Sequence, residues 1–225
     1  MDELNFYMKD IRFADGTVLD KHGLKTSGLF DRSGTEYDDI VILADPSGDS
    51  LINGFGGNDQ LTGGGGRDTI YDGDGEDVID GGGGDDVLFG GQGDDIIRGG
   101  GGRNILDGGA GNDHLFSGGS DSIIFGRGYG HDVLNGWPYD VIRLSGLTRD
   151  DVDLGIEFNP ISPGDQPLVI RIKDTGETLT LNSYKNAFDS LVFADETYLI
   201  EKLIKTPLIE LLGTDVNDNI TADQG

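Results

Sequence analysis

The sequence predicts an all-β protein in which short coils stack into a solenoid, followed by a β-rich, sandwich-like capping domain. A strict nine-residue repeat in the middle of the chain predicts the solenoid. Glycine makes up 40 of the 225 residues, yet acidic and apolar residues recur among the glycines at fixed intervals. After the repeats, short alternating segments are typical of β-strands.

The repeat begins at Gly54 and gives seven consecutive nonapeptides of the form GGxGxDxUx, where U is apolar. The sixth places hold Asp59, Asp68, Asp77, Asp86, Asp95, Asn104 and Asp113. The eighth places hold Leu61, Ile70, Ile79, Leu88, Ile97, Leu106 and Leu115. A flexible linker has no physical reason to keep either column, so the segment is predicted to be folded.

Each nonapeptide divides into a turn and a strand. Places one to six need glycine, because a tight turn visits positive φ and leaves no room for a Cβ atom. Places seven to nine form a short strand whose middle residue points inward. Two turns and two strands make one coil, so stacking buries the eighth-place column and aligns the turns along two edges.

These nonapeptides resemble the calcium-binding repeats of the RTX (repeats-in-toxin) family over roughly residues 34–136. The resemblance implies a parallel β-roll in which Ca²⁺ lies between each turn and the turn one coil further on. Each turn would supply its sixth-place carboxylate and backbone carbonyl oxygens, which are ligands that calcium takes. The implied sites also include the fourth-place glycines Gly57, Gly66, Gly75, Gly84, Gly93, Gly102 and Gly111.

The two edges are predicted to be unequal. The first edge stacks Asp59, Asp77, Asp95 and Asp113. The second edge stacks Ser50, Asp68, Asp86, Asn104 and Ser122, so it has one step between two aspartates. We expect about four good calcium sites and one or two weak ones, with the first edge filled first. The alternative, acidic turns that merely face solvent, explains the charge but not the register.

Calcium also explains why so glycine-rich a segment would fold. Without the ion, rows of carboxylates repel one another and oppose compaction. One buried apolar side chain per nonapeptide is too little to offset the ordering of so much glycine. The binding free energy of calcium would therefore be folding free energy, and the chain is expected to fold outside the cell, where calcium is abundant.

Composition restricts the partners. The formal charge is −26, from 42 acidic and 16 basic residues, so nucleic acid and anionic membranes would repel the chain. No cysteine is present, which excludes disulfides and thiolate metal sites. We find no apolar run long enough for a transmembrane segment, and residues 1–12 do not read as a signal peptide.

The ends of the chain resemble each other. The motif at 13–17 (FADGT) recurs as FADET at 193–197, and a second pair of matches at 34–39 and 213–218 lies at almost the same offset. We therefore expect a piece of a tandem array: the tail of a preceding unit at 1–33, the roll at 34–136, a β-rich cap at 137–206 and the start of the next unit at 207–225. Neighbouring units would then be partners.

The cap is predicted from three strands at 168–172, 178–182 and 190–194, with a hairpin turn at Thr175-Gly176. It resembles the domain that often follows RTX repeats in large haemolysin-type proteins, and it would close the open end of the roll. Trp137, Tyr139 and Phe158 are expected to pack inside it. Residues 198–212 are predicted to form a short helix interrupted near Pro207.

The predicted function is a calcium-dependent structural module of a large secreted bacterial toxin or adhesin, and the resemblance implies type I secretion. We do not expect an enzyme, since the sequence contains neither H-E-x-x-H nor G-x-S-x-G. His22, His114 and His131 are far apart in the sequence and are expected to be ordinary surface or cap residues.

Two other functions remain open on the sequence. Some RTX relatives cleave themselves at an Asp-Pro bond when calcium binds, and Asp45-Pro46 is such a bond. The other alternative is a glycan-binding or enzyme-associated module that recognises a glycan or a host surface. An aromatic stripe of Tyr71, Phe89 and Phe116 would serve that function, although packing against a neighbouring unit would explain it equally well.

Overall fold

The computed structural model describes residues 10–12, 18–20, 33–42, 48–157, 167–182, 188–195, 197–199 and 210–212. Within these ranges the protein is all-β, as predicted, and two sheets face each other in a parallel β-roll. The first two strands, β1 (Asp10–Arg12) and β2 (Val18–Asp20), pair antiparallel with each other.

One face of the roll is a sheet of eight strands. It contains β4 (Leu51–Gly56), β6 (Thr69–Asp74), β8 (Val87–Gln92), β10 (Ile105–Ala110), β12 (Ser122–Gly126), β14 (Asp140–Ser145), β18 (Phe188–Val192) and β19 (Thr197–Leu199). Neighbours from β4 to β18 are parallel, and β19 closes the sheet antiparallel to β18.

The opposite face is a sheet of ten strands. Its solenoid part contains β3 (Ile40–Ile42), β5 (Gln60–Gly65), β7 (Val78–Gly83), β9 (Ile96–Arg98), β11 (His114–Phe116), β13 (His131–Asn135) and β17 (Thr178–Asn182), all parallel to their neighbours. It continues antiparallel through β16 (Leu168–Ile172) and β15 (Val152–Glu157), and β20 (Glu210–Leu212) then pairs parallel with β15.

The core lies between the two sheets and consists of the eighth-place residues. Ile70 pairs in register with Leu88, and Ile79 pairs with Ile97, so apolar side chains from successive coils stack directly. The eighth-place side chains from Leu61 to Leu115 are at most 1% exposed. Five of the seven strands of the regular nonapeptides are longer than predicted, because they also take in the first three places of the next nonapeptide, as in Thr69–Asp74. The strands β9 and β11 keep the predicted three residues.

Coil length varies at both ends of the roll. In the middle, equivalent residues lie 18 positions apart, as between Asp59 and Asp77. The spacing becomes 20 between Asp39 and Asp59 and 17 between Asn104 and Asp121. In each case the buried apolar residues still pair in register, Val41 with Leu61 and Leu106 with Ile123. The stacking therefore follows the apolar column and not a count of nine.

Parallel stacking continues past residue 136, the predicted end of the roll, into β14, β17 and β18. The predicted strands at 168–172 and 178–182 are confirmed, and the hairpin turn between them contains Gly176 at φ +82°. The third cap strand begins two residues earlier than predicted, at Phe188. Arg127 joins the roll to this region through ion pairs with Asp151 (2.9 Å) and Asp174 (3.0 Å).

Two expectations for this region are wrong. The segment predicted as a helix at 198–212 is strand at both of its described ends, because residues 197–199 pair with β18 and residues 210–212 pair with β15. Trp137 and Tyr139 do not pack in the cap, since they are 59% and 72% exposed. They flank Pro138 in a tight turn that directs their side chains to solvent, and Tyr139 has a φ of +80°. Phe158 lies outside the described residues.

The remaining domain predictions rest mainly on segments that are not described. Most of residues 1–33 and nearly all of 207–225 fall outside the described ranges, so the tandem-array interpretation stays a prediction. No helix in the described ranges combines the length and apolar character needed to cross a membrane.

Candidate metal centres

The sixth-place aspartates of the first edge form a continuous hydrogen-bonded ladder. The backbone N–H of Asp59 donates to Oδ1 of Asp77 (2.7 Å), Asp77 donates to Asp95 (3.0 Å), and Asp95 donates to Asp113 (2.9 Å). All four side chains are at most 2% exposed. Each carboxylate therefore uses one oxygen to hold the preceding coil at a fixed distance.

The ladder of the first edge is longer than the sequence pattern predicted. Asp39 precedes Asp59 in it, with an N–H···Oδ1 distance of 2.7 Å, and Asp132 follows Asp113 at 2.9 Å. Both lie outside the nonapeptides counted from Gly54. The signal that finds them is an aspartate two residues before a buried apolar residue, here Val41 and Leu134.

The second edge forms an equivalent ladder, but one predicted member is wrong. The N–H of Asp68 donates to Asp86 (2.8 Å), and that of Asp86 donates to Oδ1 of Asn104 (2.9 Å). The next acceptors are Asp121 and then Asp140, each at 2.8 Å.

Ser122, the predicted member of this edge, is displaced from the ladder because the coil shortens by one residue there. Its hydroxyl instead accepts a hydrogen bond from Nε of Arg143 (2.5 Å). At the start of this edge, Ser50 contributes its backbone carbonyl, which accepts a hydrogen bond from the N–H of Thr69 (2.8 Å).

The second carboxylate oxygen of most rungs is buried and has no hydrogen-bond partner. This holds for Oδ2 of Asp59, Asp77, Asp86, Asp95, Asp113 and Asp132. Burying a neutral polar group without a hydrogen-bond partner costs about 1–3 kcal/mol. An unpartnered carboxylate costs more, several kcal/mol, unless the group takes up a proton. A regular row of such atoms indicates positions where a cation completes the structure.

The first-place glycines show what surrounds these oxygens. A Cβ atom added to Gly81 would lie 2.6 Å from Oδ2 of Asp86 and 2.8 Å from the carbonyl oxygen of Gly99. At Gly63 the carbonyl oxygen of Gly81 occupies the equivalent position, at 2.7 Å. A carboxylate from one turn and a carbonyl from the next thus converge beside Gly63 and Gly81. Calcium takes oxygen ligands of this kind at about 2.3–2.6 Å, so the residues present fit this ion.

The fourth-place glycines lie in the turns where the sequence puts them, and all seven have positive φ. Several of their N–H groups donate to third-place carbonyls of the next coil: that of Gly75 to Gln92 (2.8 Å), and that of Gly84 to Gly101 (3.0 Å). Their role as calcium ligands stays a prediction. The converging carbonyls described above belong to the first places, which the sequence pattern did not single out.

Burial raises the pKa of five of the ladder carboxyls to values well above that of a free aspartate. The pKa rises to about 8 for Asp95 and Asp132, and to about 6 for Asp59, Asp86 and Asp113. In each case burial is the largest cause. The N–H of the preceding rung opposes it, and the neighbouring carboxylates add repulsion. Near neutral pH the carboxyls with a pKa of about 8, those of Asp95 and Asp132, therefore hold protons that a bound cation would displace.

Sequence reasoning missed Asp72, which occupies a first place where the other nonapeptides counted from Gly54 have glycine. Its side chain is 2% exposed, and one oxygen each from Asp59, Asp72 and Asp77 lie within 4.8 Å of one another. Burial, followed by repulsion from Asp77 and Asp59, raises the pKa of Asp72 to about 9. The only sequence signal was the departure from glycine at that place.

Three described rungs of the second edge lack a free carboxylate oxygen. At Asp121, Oδ2 accepts a hydrogen bond from the N–H of Gly118 (3.1 Å). At Asn104 the amide nitrogen Nδ2 is buried without a partner, so an N–H group points where other rungs present oxygen. At Asp140, Oδ2 accepts hydrogen bonds from the hydroxyl of Ser117 (2.5 Å) and the N–H of Trp137 (2.8 Å). The protein's own donors thus satisfy this last carboxylate.

The residues of the alternative functions are dispersed. His114 and His131 are exposed, whereas His22 and the Asp45-Pro46 bond lie outside the described residues. Tyr71 and Phe89 stack with centroids 4.8 Å apart on the eight-strand sheet. Phe116 lies on the opposite sheet, beneath the guanidinium of Arg98 at 5.5 Å, so the three rings do not form one stripe.

Fold and site together define a class: a parallel β-roll whose turns present buried carboxylate and carbonyl oxygens to cations. A model of the RTX calcium-binding nonapeptide repeat family matches this chain at residues 47–70, 53–88, 62–97, 81–115, 89–124 and 98–134. Residues 47–134 therefore belong to the RTX calcium-binding repeats. A comparison with curated proteins gave no match.

Proposed function

We propose that this chain is a calcium-dependent folding module of a large secreted protein, a toxin or an adhesin, with a structural and not a catalytic role. The observation that carries the proposal is the row of buried, unpartnered Oδ2 atoms along the first edge. Without a cation these oxygens oppose the compact state, and with one they become ligands that join successive coils.

The ladder geometry supports at least four calcium ions on the first edge. Each step between consecutive aspartates from Asp59 to Asp132 has a buried Oδ2 at both ends. The step that ends at Asp132 adds one site to the three that the nonapeptide count predicts there. On the second edge, Asn104 weakens the steps on either side of it, because an amide N–H repels a cation.

The same physics supports the proposal of secretion. RTX repeats are typically extracellular, and calcium sites of extracellular modules bind at roughly 0.1–1 mM. A chain with such sites stays unfolded where calcium is scarce, which suits export through a type I system, and folds once it reaches a calcium-rich medium. The parent protein would then display the module, or use it as a spacer, at the bacterial or host surface.

A calcium titration of the metal-stripped chain, followed by far-UV circular dichroism, tests the proposal. We expect a steep, cooperative gain of β signal with calcium and no comparable gain with magnesium, which prefers smaller octahedral sites that keep water. Asp77→Ala should weaken this response more than Asn104→Ala, because Asp77 has a buried free oxygen and Asn104 does not. Full β structure in excess chelator would overturn the folding role.

A further inference from the structure

Asp72 breaks the glycine pattern at a position that has no room for an ordinary side chain. In the nonapeptides counted from Gly54, the other first places are glycine: Gly54, Gly63, Gly81, Gly90, Gly99 and Gly108. In the roll this place lies against the sixth-place carboxylate of the same nonapeptide, as Gly81 lies against Asp86. A charged residue at such a place is costly unless something binds it.

In the described part of the chain no positively charged group binds the carboxylate of Asp72. Both carboxylate oxygens of Asp72 are buried and have no hydrogen-bond partner. The nearest polar groups are instead other carboxylates, since Asp59 and Asp77 each bring an oxygen within 4.8 Å. Oδ2 of Asp59 and Oδ2 of Asp77 also lack partners. Three acidic groups therefore converge, and their printed hydrogen-bond donors are backbone N–H groups, those of Asp39 to Asp59 and of Asp59 to Asp77.

Gly54 shows that the side chain of Asp72 points into the step between Asp59 and Asp77. A Cβ atom on Gly54 would lie 2.6 Å from Oδ2 of Asp59, from the carbonyl oxygen of Asp72 and from Oδ1 of Asp72. The equivalent point beside Gly81 has one carboxylate and one carbonyl oxygen only. This step thus has an additional oxygen, which belongs to the side chain of Asp72.

We propose that Asp72 is a direct calcium ligand, which makes the step between Asp59 and Asp77 a three-carboxylate site that binds calcium more tightly than the other steps of the roll. Calcium affinity is set by the number of charged ligands and by the rigidity of the site, and both favour this step. This inference rests on the proposed calcium-dependent function. It predicts that the ion bound here is the first to enter and that the roll begins to fold from this coil.

Calcium competition against a chromophoric chelator, on the full chain, tests this inference. Asp72→Asn removes one charge and keeps the size of the side chain, and Asp72→Gly restores the residue of the other repeats. Glu76→Gln is the matched control, because it removes one charge from an exposed side chain of the same nonapeptide. In the wild type we expect one ion bound more tightly than the rest. Both Asp72 variants should weaken that ion by about tenfold or more, and Glu76→Gln should not.

The outcomes separate the two proposals. If the wild type binds calcium but the tightest ion is unchanged in both Asp72 variants, the three-carboxylate site is wrong and the folding function stands. If Glu76→Gln weakens the binding of the tightest ion as much as Asp72→Asn does, the loss of affinity comes from the change in net charge. The proposed role of Asp72 as a ligand is then wrong. If the wild type takes up no calcium, both proposals fail.

Discussion

The backbone N–H of Asp77 donates a 3.0 Å hydrogen bond to Oδ1 of Asp95, 18 residues further along the chain. Oδ2 of the same Asp95 is buried without a partner. A single side chain therefore has two separate tasks: one oxygen spaces the coils and the other is available to a cation. Because an asparagine can perform the first task and not the second, substitutions between these two residues separate coil spacing from ion binding.

Asn104→Asp is expected to strengthen calcium binding on the second edge. Oδ1 of residue 104 would still accept the hydrogen bond from Asp86, while a carboxylate oxygen would replace the buried, unpartnered Nδ2. We expect the calcium concentration at the midpoint of folding to fall about threefold to tenfold, since site affinity follows the number of charged ligands. The measurement is a circular dichroism titration at constant pH.

The matched control for this gain is Asn58→Asp, which adds the same charge to an exposed turn position. Its midpoint should stay close to that of the wild type. A midpoint that is unchanged or higher in Asn104→Asp would contradict the assignment of Oδ2 as the oxygen that binds the ion.

Gly84→Ala and Gly83→Ala should differ strongly although the two residues are adjacent. Gly84 has a φ of +131°, and an added Cβ would collide with the carbonyl of Gly66. Gly83 has no atom within 4 Å of an added Cβ and does not have positive φ.

We expect Gly84→Ala to lower the free energy of unfolding in saturating calcium by about 1–3 kcal/mol or more, from backbone strain and the collision. Gly83→Ala should change it by less than about 1 kcal/mol. Urea denaturation in saturating calcium measures both. Equal losses in the two variants would show that the turn does not require positive φ at the fourth place.

The regular part of the roll could be predicted because both of its columns keep one type of residue. An acidic sixth place and an apolar eighth place determine which atoms meet when coils stack, whatever the intervening residues are. The prediction failed where it relied on counting. Asp121 and not Ser122 joins the ladder, because the buried Ile123 keeps its place while the turn before it shortens.

The rest of the site could not be predicted from the pattern because it depends on contacts between coils. Asp72 looks like a chance departure from glycine until the structure places its oxygen beside Asp59. An aromatic residue such as Trp137 is predicted from sequence to pack in the core. In the structure its side chain is exposed, and its backbone N–H donates a hydrogen bond to the ladder carboxylate of Asp140.

Ser117→Ala should destabilise the roll equally with and without calcium. Ser117 is buried, and its hydroxyl donates to Oδ2 of Asp140 (2.5 Å) and accepts from the N–H of Trp137 (2.9 Å). Loss of a hydrogen bond to a buried charged group costs about 1.5–3 kcal/mol. Because this carboxylate is satisfied by protein donors, we expect that loss in calcium and in chelator alike, wherever the chain is folded enough for urea denaturation.

The exposed Ser120 provides the control, and Ser120→Ala should leave the free energy of unfolding within about 0.5 kcal/mol of the wild type. Asp95→Asn is expected to show the opposite dependence on calcium: it lowers stability only when the ion is present, since it keeps Oδ1 and loses a ligand. A loss in Ser117→Ala that appears in calcium alone would show that the end of this ladder also binds an ion.

Acid is expected to stabilise the calcium-free roll, which reverses the usual behaviour of a protein held by ionised carboxylates. Burial raises the pKa of Asp95 and Asp132 to about 8 and that of Asp59 to about 6, whereas an unfolded aspartate titrates near 3.9. Between these values the folded state holds more protons than the unfolded chain. Its stability is therefore greatest below about pH 4 and is lost as the pH rises to about 8.

In chelator, we expect more β signal at pH 4.5 than at pH 8, and calcium should reverse this order because it displaces the protons. High salt distinguishes the buried carboxyls from the exposed acidic residues, since about 1 M NaCl reduces the screening length between exposed charges to about 3 Å. If the pH effect disappears in 1 M NaCl, surface repulsion is its cause. If it persists, the protons are bound at the buried ladder, in the positions that the calcium ions take.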